Sequence, residues 1–174
     1  MDIHASSFWR GLAALAALCA TAWAPPASAQ QLSRYAIGPQ YQVSVRGVPM
    51  NCRAYGNGQY VAIFSDPALD DVGIASRYVG QPYIVLNPDV MARYSDLVAV
   101  FWFAHECAHH ALGPMNSESN ADCFAIRRMR DLGIIRRREQ LLAFSQELRN
   151  LPGTAMGHLP GPLRAQHIAA CALS

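Results

Sequence analysis

Within "FWFAHECAHHAL", residues 101–112, His105, Glu106 and His109 spell H-E-x-x-H. On an α-helix, residues four apart differ by only about 40° around the axis, so the two imidazoles face the same way and can share one cation. Glu106 lies about 100° round from His105, beside such a cation rather than on it. A carboxylate in that place suits a base working on a water activated by the metal. Two histidines and a glutamate on an otherwise apolar helix are expensive to bury without a role.

Two imidazoles do not complete a site, because tetrahedral zinc with an open position for water takes three protein ligands. The metzincin continuation requires Gly at 112 and His at 115, where this chain has Leu112 and Met115. Downstream, "ESNAD" places Glu118 and Asp122 four apart, on one face of the next predicted helix. Glu118 can supply the third ligand, and Asp122 can accept a hydrogen bond from the free ring N–H of a zinc histidine, with His105 the expected partner. The reverse assignment, Asp122 on the metal and Glu118 beside it, is the alternative. The chain has four glutamates, Glu106, Glu118, Glu139 and Glu147, so half of them fall where this chemistry needs them.

The elements that must carry these residues follow from pattern and punctuation. Ser95 is a fitting N-cap for a helix over 96–112, stopped by Gly113 and Pro114 and apolar almost all round, hence central. Asn116 or Ser117 caps a second helix ending near Leu132, ahead of Gly133, and a third helix is predicted over 135–150. A loop, "LPGTAMGHLPG", leads to a last short helix in "PLRAQHIAACAL". Ahead of the helices, 30–40 reads as a loose lead-in, and 41–45, 59–64 and 82–87 read as strands. The first two flank a Gly-Asn-Gly turn and suggest a hairpin or meander. Strands first and helices after predict an α+β domain, a small, mainly antiparallel sheet packed on a helical core.

H-E-x-x-H followed by E-x-x-x-D resembles the gluzincin zinc peptidases. "ESNAD" is similar to the E-x-x-A-D form of the CAAX prenyl protease and bacterial heat-shock metallopeptidase family, here in a compact, minigluzincin-like form. The order of "PYIVLNP", "DVMARY" and the H-E-x-x-H helix matches that family, and "GHLPGPLRAQHI" is similar to its later His-Pro and Arg segment. Together the likeness spans about residues 80–168 and implies a zincin-type core with an H-E-x-x-H helix and a glutamate helix. The implied activity is a zinc endopeptidase with one Zn²⁺ per chain on His105, His109 and Glu118. Glu106 is then the base. His158 is a candidate oxyanion donor, with Arg164 a second candidate for that task or, like Asp122, a supporting residue. The implied partner is a polypeptide bound in extended form, with the strand 83–86 as its pairing edge. His110, off the metal face, is expected in a supporting or surface position.

Composition sets the setting. The chain has 174 residues, 52% hydrophobic and 15% charged with a net charge of +2, enough for one domain with a core and too little charge to argue for nucleic acid. All basic residues are arginine, and those between Arg127 and Arg138 alternate with acids as on solvated helix faces. Residues 1–29 read as a signal peptide, with a 13-residue apolar stretch from Gly11 to Trp23 and cleavage before Gln30. The mature domain, 30–174, is then periplasmic or secreted without stable membrane insertion. Cleavage removes Cys19, and the remaining four cysteines suggest two disulfides, Cys52–Cys107 and Cys123–Cys171 being the favoured pairing. The competing function is a metal-stabilised, catalytically silent binding or chaperone-like module of the same fold.

Overall fold

The computed structural model describes residues 37–153 and 157–171; the expected signal peptide lies outside them. The fold is α+β. Six strands come first: β1 Ile37–Gln40, β2 Gln42–Val45, β3 Val48–Asn51, β4 Ala62–Ser65, β5 Gly73–Tyr78 and β6 Gln81–Leu86. Five helices follow: α1 Pro88–Met91, α2 Asp96–Ala111, α3 Glu118–Asp131, α4 Arg138–Leu148 and α5 Gly161–Cys171, with a 3₁₀ turn at Gly113–Met115.

The predicted strands at 41–45 and 59–64 do not pair with each other. β2 pairs with β3 around the tight turn Arg46–Gly47, whereas β4 joins a four-stranded sheet of order β1-β4-β6-β5. In that sheet β4 and β6 run parallel, and the other two pairings are antiparallel. The lead-in expected over 30–40 contains β1. "GIASRY", absent from the predicted strands, is β5. Its short, mixed composition lacks a clean alternation, and its partner β6 supplies the apolar run that holds it. A two-residue turn, Val79–Gly80 with φ of 47° and 78°, joins the two. Positive φ at both positions is the mirror-image turn that matches the twist of a hairpin.

Central strand β6 is buried on both faces. Ile84 and Leu86, with Ile63, join the main core against α2, while Tyr83, Val85 and Phe64 form a small cluster on the other face with Ile74 and Tyr78. Helix α2 begins where predicted: the Ser95 hydroxyl accepts from the Val98 N–H at 3.3 Å. Every residue from Val98 to Ala108 is buried, which is why this helix lacks a polar stripe. Gly113, at φ 55°, lets the chain turn at its end; a Cβ there would collide with the Tyr55 ring. Ser117 caps α3, accepting from the Asn120 N–H at 3.2 Å.

Both favoured disulfides are present. Cys52–Cys107 ties the start of the sheet region to α2, and Cys123–Cys171 ties α3 to α5, with Cα–Cα separations of 5.4 and 5.5 Å. Such pairs are compatible with an oxidising compartment. Among the described residues no helix is long and apolar enough to cross a membrane.

Candidate metal centre

Helices α2 and α3 fold back on one another through the short turn between them, bringing His105 and His109 of the first against Glu118 and Asp122 of the second. His105 is fully buried, and its Nδ1 lies 2.8 Å from Asp122 Oδ1. His109 Nδ1 lies 2.8 Å from Asn116 Oδ1. In each ring the Nδ1–H donates to an oxygen, leaving Nε2 as a lone-pair acceptor. Those two Nε2 atoms face each other at 3.2 Å. Glu118 closes the group, with Oε2 at 3.2 Å from His105 Nε2 and Oε1 at 3.4 Å from His109 Nε2.

Three acceptors converging with no hydrogen between them repel one another unless a cation or an extra proton sits among them. The spacing fits a cation. Ligands about 2.0–2.1 Å from a tetrahedral zinc are about 3.3 Å apart; the two Nε2 atoms are 3.2 Å apart, and each has one oxygen of the Glu118 carboxylate at 3.2 or 3.4 Å. Without an ion, a proton takes its place. Burial by itself lowers the His105 pKa, but the hydrogen bonds its ring donates to Asp122 and Glu118 outweigh it and raise the value to about 9. Glu118 is likewise held below the usual carboxylate range. Its partial burial pushes upward and is overcome by the His105 contact and the charge of His109. Among the described residues, His105 and Glu118 belong with His158 to a group whose ligand atoms lie close enough together to hold a metal ion.

Glu118, and not Asp122, faces the two Nε2 atoms. Asp122 is fully buried behind His105, and its second oxygen accepts from Arg164 Nε at 2.9 Å. Arg164 comes from α5, also fully buried, with its guanidinium carbon 4.5 Å from the Trp102 ring centroid. It therefore supports Asp122 and does not reach the cleft, which removes it as an oxyanion donor. Asp122 is thus a buried carboxylate between two cationic or donor groups, orienting the imidazole of His105.

Glu106 is buried beneath the cleft floor, with His158 Nε2 at 3.4 Å from its Oε1. His158 reaches this place from the loop before α5, its ring 4.7 Å from that of Trp102. Asp71 Oδ2 lies 3.6 Å from its other nitrogen. His158 also has a ring nitrogen within 4.8 Å of the ligand atoms of His105 and Glu118. His158 Nε2 also faces Glu106, whereas His109 Nε2 lies 3.2 Å from His105 Nε2 and 3.4 Å from Glu118 Oε1. His110 is not a surface residue but stands in the wall of the cleft beside the centre. It is buried, its Nε2 donates to the Tyr83 carbonyl at 2.9 Å, and burial lowers its pKa, so a neutral ring pins α2 to β6.

An open cleft of about 450 Å³ runs over this centre, lined on one side by Glu106, His109, Asn116, Glu118 and His158 and on the other by residues 73–77 of β5. The expected pairing edge, strand 83–86, is not available: β6 lies between β4 and β5, its backbone engaged on both sides. Strand β5 is the sheet edge beside the site. Gly73 lets it approach, since a Cβ there would meet Glu106 Cγ at 3.0 Å.

Searches of protein-family models, curated proteins and solved structures found no match to the chain. The site is therefore read from its own geometry. Three of its members escaped sequence reasoning. Asn116 reads from the sequence only as a cap, Asp71 lies in the loop "SDPALDDVG" with no spacing that links it to His158, and Gly73 is one glycine among twelve.

Proposed function

We propose that this chain is an exported zinc-dependent endopeptidase of gluzincin type. The observation that carries the reading is the acceptor triangle of His105, His109 and Glu118, with buried Glu106 beside it at the floor of an open cleft. Two imidazoles and one carboxylate are a donor set that suits zinc. When bound, the ion supplies Lewis acidity toward a water and a scissile carbonyl.

The chain's own residues do the rest. Asp122, backed by Arg164, and Asn116 hold the two imidazoles in the tautomer that presents Nε2. Glu106 takes a proton from the attacking water and returns it to the leaving amine. His158, held against Trp102 with Asp71 near its Nδ1, presents Nε2 at the same floor, where an N–H donor stabilises developing negative charge on the substrate oxygen. Strand β5 offers free main-chain groups to an extended peptide, as sheet-edge addition requires.

The mature protein should bind about one zinc per chain, cleave an unfolded protein substrate, and stop cleaving under chelation. Glu106→Gln should keep the metal and lose the activity. Full proteolysis by that variant, or zinc binding without cleavage after limited proteolysis to release any latent form, would sink the peptidase reading. The second outcome fits the catalytically silent module instead.

A further inference from the structure

The register of β5 on β6 sorts the cleft wall. Gly73, Ala75 and Arg77 stand opposite Leu86, Ile84 and Pro82, on the face turned toward α2, whereas Ile74 and Tyr78 pack with Phe64 and Tyr83 behind the sheet. Next to Glu106, then, this wall carries a hydrogen and a methyl group. The first side chain with reach and charge is Arg77, four residues further along. It lines the cleft, is exposed, and one of its five N–H donors goes to the Gly80 carbonyl at 3.1 Å.

We propose that Arg77 is a specificity-determining residue that selects peptides carrying Asp or Glu three to four residues N-terminal to the cleaved bond; this rests on the peptidase reading above. A peptide added antiparallel to β5, the commoner and better-bonded pairing, places its N-terminal side along the C-terminal end of the strand. Four residues of strand span about 13 Å, so the peptide side chain across from Arg77 sits three to four positions upstream of the one at Gly73 and Glu106. Directly opposed side chains in such a pair are neighbours, and opposite charges there attract. The distance along the strand also exceeds the screening length of about 8 Å at physiological salt, which separates an acidic side chain there from Glu106 beside Gly73. An acid nearer the centre would meet those carboxylates without a cation of the wall to offset them.

Peptides identical but for Glu, Gln or Lys at that upstream position, and a second series varied downstream, test the idea on the full mature zinc-loaded chain. The expected kcat/KM for Glu over Gln is about threefold at low salt, the range an exposed ion pair supports, with a similar further step to Lys. Both steps shrink at 1 M salt, and Arg77→Glu inverts their order. Binding of the same peptides to the Glu106→Gln protein, read by fluorescence anisotropy, gives the same ranking without turnover. Equal binding of the three peptides, a preference only in the downstream series, or an unchanged ranking in Arg77→Glu overturns the proposal. Ranked binding with no cleavage by the unaltered chain keeps the Arg77 preference and overturns the peptidase reading alone.

Discussion

Asp122→Ala is the substitution with the most to say about this centre. Asp122 is fully buried and holds two partners, His105 Nδ1 at 2.8 Å and Arg164 Nε at 2.9 Å, neither of which has measurable exposure. Removing it leaves the Arg164 guanidinium buried without its counter-charge and His105 without its orienting acceptor. Breaking a buried ion pair from one side costs about 3–5 kcal/mol. For a domain of this size that corresponds to a fall in Tm on the order of 10–15 °C. Loss of the hydrogen bond to a metal histidine should also weaken zinc binding about 10- to 100-fold. Circular dichroism melts of the metal-free protein and a competition titration with a chromogenic chelator measure the two effects separately. The double variant Asp122→Ala/Arg164→Met removes the stranded charge and should recover part of the stability but none of the zinc affinity. A loss below about 1 kcal/mol, or a double variant no more stable than the single one, would refute the buried-pair reasoning.

Three further outcomes follow from the same geometry. In the metal-free protein the His105 pKa is raised to about 9, from an unperturbed 6.5. Its contribution to stability is therefore complete below the unfolded value and is lost as pH rises through about 9; zinc affinity should climb across that same window, and calorimetry near pH 7.5 in buffers of different ionisation enthalpy should show about one proton released. Asp71→Asn should lower kcat about tenfold while leaving zinc affinity unchanged, since its Oδ2 faces His158 and its Oδ1 accepts from the Val72 N–H, away from the three proposed ligands; a parallel loss of zinc would show His158 to be a ligand. Val79→Asn should raise Tm by a few degrees, because the turn holds this exposed β-branched residue at φ 47°, which costs an L-residue about 1–2 kcal/mol and Asn less.

Much of the site was legible in the chain because helical periodicity is local. His105, Glu106 and His109 follow from one helix, and Glu118 and Asp122 from the next, with Ser95, Ser117 and Gly113 marking where those helices begin and turn. The same holds for the α+β order; four cysteines imply two disulfides but allow three pairings, and packing of the helices selects Cys52–Cys107 and Cys123–Cys171. What tertiary structure alone decided is which distant segments meet. Strand order put β5, not β6, at the edge beside the cleft, because parallel pairing of β4 with β6 uses up the better apolar strand. Long-range packing also brought Asp71 to His158 and Arg164 to Asp122, separated by 87 and 42 residues. No sequence period links such pairs: a hydrogen bond across a core depends on how whole elements settle against one another, and a single chain records only the spacing within each of them.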